Sequence, residues 1–118
     1  MSARDRGYEE EFLDRAEREA GLMGLGFPVQ VLERLDTYGA VHGDRWARMT
    51  LKELLREIRS EAADLGGWPA LMAQQVLRQN GTVDDDVSLE ARMLLQAIAA
   101  AGARVEHLCR QLGELLAD

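Results

Sequence analysis

The last third of the chain carries an apolar pattern that predicts one long helix. From Val87 to Leu116, apolar residues recur close to heptad spacing, and Gly102 weakens this pattern without ending it. At about 1.5 Å per residue, the helix is roughly 45 Å long, more than the other predicted helices can cover. The surplus apolar stripe predicts packing on a second chain. Its members are Leu89, Met93, Ala97, Ile98, Ala101, Val105, Leu108, Leu112, Leu115 and Leu116.

Composition favours helices along the rest of the chain. The 118 residues suffice for one domain, hydrophobic residues make up 47% and aromatic residues only 5%. No stretch alternates apolar and polar residues as a strand would. We therefore predict an all-α fold, a bundle of four to five helices completed by oligomerisation. It forms a single domain over 1–118, with an N-terminal helix and glycine-rich arm at 1–27 and a helical core at 28–118.

Charge and cysteine usage narrow the function classes. Lys and Arg number 14 and Asp and Glu 21, a net charge of −7, which argues against a nucleic-acid polymer as partner. The single cysteine, Cys109, allows no internal disulfide and no thiolate metal cluster, which fits a reducing cytoplasm. The charged start of the chain is unlike a signal peptide, and no apolar run is long enough to span a membrane.

Shorter helices are predicted ahead of the long one. They cover residues 8–20, 28–38, 50–65 and 69–79, and Gly39 suits the position after the end of the second helix. Tyr38 to Met49 is predicted to be a connector, and Gly66, Gly67 and Pro69 predict a break or sharp kink. Asp86 or Ser88 is predicted to cap the final helix.

The helix predicted at 50–65 carries a stripe of four carboxylates. Thr50 and Glu53 have capping-box spacing, and Leu51, Leu54, Leu55, Ile58, Ala62 and Leu65 form an apolar face. At about 100° per residue, the carboxylates fall in an arc of roughly 80° that borders this face. They are Glu53, Glu57, Glu61 and Asp64.

Stacked carboxylates on one helix repel each other by a few tenths of a kcal/mol per pair. Mg²⁺ would offset this repulsion because it prefers oxygen ligands and keeps several waters. The stripe is therefore a candidate metal site. A solvated edge is the alternative, with Glu53 serving only as a cap and Glu57 pairing with Arg56 or Arg59 nearby or with another helix.

The same helix resembles the acidic helix of the MazG-like all-α nucleoside triphosphate pyrophosphohydrolases. The likeness lies in Glu-Ile-Arg-Ser-Glu-Ala-Ala-Asp over residues 57–64, in the following Trp68, and in the preceding segment from Tyr38-Gly39 to Trp46. Glu61 and Asp64 match the family's Glu-x-x-Asp pair, with Glu57 one turn earlier. The family's first Glu-x-x-Glu pair has no clean match, and the nearest candidate is Glu33-x-x-Asp36.

The resemblance implies a Mg²⁺-dependent enzyme, with Mn²⁺ as a substitute, that cleaves a nucleoside triphosphate to the monophosphate and pyrophosphate. It implies Glu57, Glu61 and Asp64 as catalytic metal ligands and a dimer or tetramer. Such hydrolysis also needs a cation on the leaving phosphate, from Arg45, Lys52 or Arg56, and Tyr38 or Trp46 could stack on the base.

Two functions therefore stand side by side at the level of sequence. The first is the nucleotide pyrophosphohydrolase, and the second is a non-catalytic helical module for dimerisation or protein interaction. Metal discriminates between them, because a ligand that binds only the native state raises its melting temperature. The hydrolase hypothesis predicts a shift with Mg²⁺ or Mn²⁺, and the interaction hypothesis predicts none.

Overall fold

The computed structural model describes residues 3–79 and 85–117, and their regular structure is all helical, without strands. This confirms the predicted all-α class and the long C-terminal helix. None of the described helices is long and apolar enough to cross a membrane. The elements are α1 (Arg6–Glu19), α2 (Phe27–His42), a short 3₁₀ helix (Arg45–Arg48), α3 (Leu51–Arg78) and α4 (Asp85–Leu115).

The helices fall into two compact units. The N-terminal unit is Met1–Met49 and contains the α1–α2 hairpin, while the C-terminal unit is Thr50–Asp118 and contains the α3–α4 hairpin. The contacts thus divide the chain after Met49, whereas the sequence placed its internal boundary after residue 27. Helix α2 also continues past the predicted end at Gly39, so Tyr38 lies in the helix and not in the connector.

Charged side chains hold the N-terminal unit together. Arg4 pairs with Glu9 of α1 at 2.7 Å and with Asp36 of α2 at 2.8 Å, so it ties both helices to the segment before them. The hydrogen bonds from Arg4 and then Arg6 hold the pKa of Asp36 below its ordinary value. Leu13 and Leu32 form the small apolar core.

A buried carboxylate organises the loop between α1 and α2. Glu17 accepts hydrogen bonds from the backbone N–H of Gly24 at 2.9 Å and of Phe27 at 3.1 Å. The second bond satisfies a donor at the start of α2, which lacks a side-chain cap. Gly26 precedes α2 with φ of 80°, a left-handed conformation that favours glycine.

Helix α3 begins as predicted but does not break as predicted. The capping box is present, with the Thr50 and Glu53 side chains each accepting from the other's backbone N–H at 3.1 Å. The helix then continues through Gly66, Gly67 and Pro69, so the predicted helices at 50–65 and 69–79 are one. A proline removes one helical hydrogen bond. Pro69 is buried, so burial of its apolar ring contributes stability that acts against this loss.

Helix α4 packs antiparallel against α3 and approaches it closely at Gly102. A Cβ at this position would lie 2.8 Å from the carbonyl oxygen of Ala62 and 2.9 Å from Leu65 Cβ, so only glycine fits. The buried positions of α4 recur every seven residues at Ser88, Leu95, Gly102 and Cys109. The predicted caps Asp86 and Ser88 both lie inside the helix, which begins at Asp85.

Candidate functional site

The carboxylate stripe lies on the surface of α3. Glu53 is engaged in the capping box, while Glu57, Glu61 and Asp64 are exposed. Among the described residues, Arg59 pairs with Glu106 and leaves Glu57, Glu61 and Asp64 without ion pairs. In the part of the chain that the structure describes, Glu57 therefore pairs neither with Arg56 or Arg59 nor with another helix, and three neighbouring carboxylates are open to an external cation or to a partner.

These three carboxylates do not converge on one point within the chain. Over residues 3–79 and 85–117, no group of three His, Cys, Asp or Glu side chains is arranged to hold a metal ion. Lys52, one of the three cations predicted to steady the leaving phosphate, lies about 140° away from Glu57 around the helix axis. The structure thus separates the predicted metal ligands from the predicted phosphate ligand.

The other predicted substrate-binding residues belong to the N-terminal unit. Tyr38 is exposed on α2 and its ring lies 4.5 Å from that of His42. Arg45 is exposed in the 3₁₀ helix, and Trp46 beside it is half-buried. The Trp46 indole N–H is buried without a hydrogen-bond partner among the described residues. Base stacking by Tyr38 or Trp46 stays a prediction.

One ion pair joins the two helices of the C-terminal unit. Arg59 donates to both carboxylate oxygens of Glu106, from Nη2 at 2.5 Å and from Nε at 3.2 Å. Arg110, one turn further on α4, also donates to Glu106 at 3.3 Å. These bonds, that from Arg59 first, hold the pKa of Glu106 below its ordinary value, and the same contact raises the pKa of Arg59.

The ion pair borders an open cleft between the start of α3 and the end of α4. We call this the cationic cleft; it has a volume of about 970 Å³. Lys52, Arg56 and Arg59 lie along its α3 side, spaced by four and three residues. Apolar and small side chains complete the lining, at Leu55, Ala63, Gly113, Leu116 and Ala117.

The other side of the hairpin is apolar. On α4, a second set of apolar positions includes the residue just before each buried one. Its members are spaced alternately by four and three residues. Most of its large side chains are solvent-exposed: Leu94 is 67% exposed, Leu108 55% and Leu115 80%. The whole set is Val87, Ala91, Leu94, Ile98, Ala101, Val105, Leu108, Leu112 and Leu115.

Helix α3 adds exposed apolar side chains to the same side. Trp68 precedes the buried Pro69 by one residue, as Leu94 precedes the buried Leu95. The buried residues of each helix mark the line along which the two helices touch. When two helices pack antiparallel, residues displaced from this contact line in the same rotational direction about their helix axes lie on the same side of the hairpin. Trp68 is 70% exposed, and it is joined by Ile58, Leu65 and Met72. We call the combined surface of α3 and α4 the apolar face.

Comparisons with protein-family models, with curated proteins and with solved structures found no match for this chain. The resemblance to the MazG-like pyrophosphohydrolases therefore stays a prediction. It depends on the residues quoted above, at 38–46 and 57–68.

The sequence carries a signal for the apolar face and another for the cationic cleft, and the sequence-based prediction recognised neither surface. The α4 pattern holds two interleaved heptad sets. The predicted stripe took six members of the exposed set and none of the buried set, and it added four residues from neither: Leu89, Met93, Ala97 and Leu116. Lys52, Arg56 and Arg59 were visible as one turn-spaced set, but the opposing wall from Gly113 to Ala117 depends on how α4 packs. Helix spacing alone cannot supply that pairing.

Proposed function

We propose that this protein is a self-associating helical module, in which two copies join the apolar faces of their α3–α4 hairpins. The single observation that carries the proposal is the second heptad set of α4, whose large apolar side chains are largely exposed in one copy. Two hairpins facing each other would form a four-helix bundle. A cytoplasmic location is part of the proposal and fits the free, buried Cys109.

The interior of the α3–α4 hairpin is too small to account for its length. Its buried side chains are mostly small, at Ala62, Pro69, Ser88 and Cys109, with Leu95 the largest of them. Burying a Leu or Phe side chain contributes about 1.5–3 kcal/mol, and an alanine contributes much less. Because helices gain most of their stability from packing an apolar face, this hairpin needs a further surface against it.

The apolar face has the size and chemistry of an interface between copies. Two helices roughly 45 Å long and about 9 Å apart present on the order of 800 Å². Stable protein interfaces bury about 800 Å² on each partner. None of the nine positions in the α4 set is charged.

Sedimentation equilibrium of the full chain over a wide concentration range tests this proposal. We expect a dimer that Leu94→Glu dissociates, because burying an unpaired carboxylate in the interface is costly. Met93→Glu is the matched control, since Met93 is equally exposed but lies outside the set. Circular dichroism checks that both variants stay helical. A native chain that is monomeric at every concentration, or a Leu94→Glu variant that associates like the native chain, contradicts the proposal.

A second candidate is Mg²⁺-dependent nucleotide pyrophosphate hydrolysis of the MazG-like kind, with Glu57, Glu61 and Asp64 as metal ligands. The specific observation in its favour is that these three carboxylates have no ion pair among the described residues. No set of three such ligands forms among the described residues, so this candidate has Mg²⁺ held by one or two of the carboxylates together with waters and substrate phosphates.

Thermal melting with EDTA and then with millimolar Mg²⁺ or Mn²⁺ tests the second candidate. We expect metal to raise the melting temperature of the native chain and Glu61→Ala to abolish the rise. Glu114→Ala serves as the control for removing an exposed carboxylate elsewhere. A melting temperature that metal does not change eliminates the hydrolase and leaves the self-associating module intact.

A further inference from the structure

We propose that the cationic cleft of the C-terminal unit binds an organic phosphate, its phosphate group on Lys52, Arg56 and Arg59 and its apolar body on Leu55, Ala63 and Leu116. The cleft lies on the opposite side of the hairpin from the apolar face. The proposal therefore does not depend on self-association, and the cleft stays open in a dimer formed through that face.

The positive charge in the cleft is not balanced by the residues that line it. Glu106 is its one lining carboxylate among the described residues, and that group is already shared between Arg59 and Arg110. Lys52 and Arg56 have no ion-pair partner in the described part of the chain. In a chain of net charge −7, this leaves a local excess of positive charge on one side of α3.

The spacing of the cations suits a phosphate group. Residues four and three apart lie on adjacent turns of one helix face, with Cβ atoms about 5–6 Å apart. Arg56 can donate two parallel hydrogen bonds to phosphate oxygens, and Lys52 supplies a second positive charge that has no ion-pair partner among the residues described. Arg59 donates to Glu106 from Nε and Nη2, which leaves its Nη1 group to donate to the phosphate. Ser60 adds a hydroxyl to the same lining.

The rest of the lining favours a ligand with an apolar part. Gly113 has no side chain and leaves space beside Leu55, whose Cδ2 lies 3.5 Å from the position that a Cβ at Gly113 would take. The cleft volume of about 970 Å³ exceeds what inorganic phosphate needs and falls within the range of small-ligand sites. The cationic and the apolar lining residues together are complementary to an anion that has an apolar part.

Isothermal titration calorimetry of the full chain in EDTA tests this inference with three probes. Octyl phosphate and adenosine diphosphate present two kinds of apolar body, and inorganic pyrophosphate presents charge alone. We expect saturable binding of at least one organic probe, about tenfold or more tighter than pyrophosphate. The tighter organic probe then identifies the ligand source as lipid-like or nucleotide-like.

Two variants address the two halves of the cleft. Arg56→Gln removes charge, and Gly113→Leu fills the apolar floor while its Cβ makes only an ordinary contact. We expect each to weaken binding about tenfold, the loss of roughly one charge-assisted contact. Arg78→Gln, at an exposed arginine of the same helix, is the matched control. Absence of binding by both organic probes, or binding that neither cleft variant weakens, overturns the proposal.

Discussion

The two hairpins of this protein are held together by different kinds of interaction. In the α1–α2 hairpin, charged side chains bridge the helices at one end and close the loop at the other, through Arg4 and Glu17. In the α3–α4 hairpin, small residues let two backbones approach closely around Gly102. Polar bridges fix where two helices meet, whereas small-residue contacts fix how near they come.

The close approach has a consequence for the large side chains of α3 and α4. Since Ala62, Gly102 and Ser88 occupy the contact line, Leu94, Leu108 and Trp68 are turned away from it. A helix pair that buries its small residues and exposes its large ones can bury most of its apolar surface only against another partner. The arrangement of the contact line therefore supports association as the role of this hairpin.

The largest expected effect comes from Gly102→Leu, which attacks the close approach directly. The new side chain would meet the Ala62 carbonyl oxygen and Leu65, so the helices must separate. We expect the C-terminal unit to lose about 3 kcal/mol in free energy of unfolding. Urea denaturation followed by circular dichroism measures the loss.

Gly67→Leu is the control for that substitution. A Cβ at Gly67 meets nothing within 4 Å, although the residue lies in the middle of α3. Replacing a glycine inside a helix removes an entropic cost of roughly 0.5–1 kcal/mol, so this variant should be more stable than the native chain. Equal destabilisation by both substitutions would show that Gly102 has no special packing role.

A smaller effect is expected from Glu17→Ala, which tests the polar side of the comparison. The change leaves the Gly24 and Phe27 N–H groups without their acceptor. We expect a local loss of about 1–3 kcal/mol, seen as faster hydrogen exchange at these two amides and unchanged exchange in α4. Glu19→Ala, at an exposed position of the same helix, should leave both amides protected. Protection that survives Glu17→Ala would contradict the role of this carboxylate.

Local signals in the sequence predicted the secondary structure of each hairpin but not its interior. The capping box of Thr50 and Glu53 depends on neighbouring residues, so spacing was sufficient to find it. Of the break or sharp kink predicted at Gly66, Gly67 and Pro69, the break was wrong, because α3 continues through Pro69, whose burial no local rule includes. Glu17 gave no sequence signal, since its partners are backbone amides whose positions depend on the loop.

For the candidate sites, the sequence could predict which residues share a face of one helix. It could not predict which residues of another helix they meet. Spacing placed Glu57, Glu61 and Asp64 on one arc of the helix, because that placement follows from helix geometry alone. It could not show that Arg59 chooses Glu106 over Glu57, because that choice depends on the register of α4. The same register builds the cationic cleft and separates the buried from the exposed heptad set.

The smallest expected effect on stability comes from the ion pair between Arg59 and Glu106, which adds a polar contact to the close-packed α3–α4 hairpin. Arg59 holds the pKa of Glu106 below its ordinary value in the folded state. The pair therefore contributes stability above the ordinary glutamate pKa of about 4.3, and this contribution is lost as the pH falls through the lowered folded pKa. Because both side chains are partly exposed, the contribution should be smaller than that of Gly102.

Melting temperatures of the native chain and of Glu106→Gln between pH 3 and 7 measure this contribution. We expect the native chain to melt slightly higher near neutral pH and the two curves to converge as the pH falls below about 4. Glu114→Gln, at an exposed glutamate on the same helix, should follow the native curve. If the Glu106→Gln difference stays constant at all pH values, the carboxylate acts through its shape and not its charge. The α3–α4 hairpin would then depend on close packing alone, and the contrast with the α1–α2 hairpin would be complete.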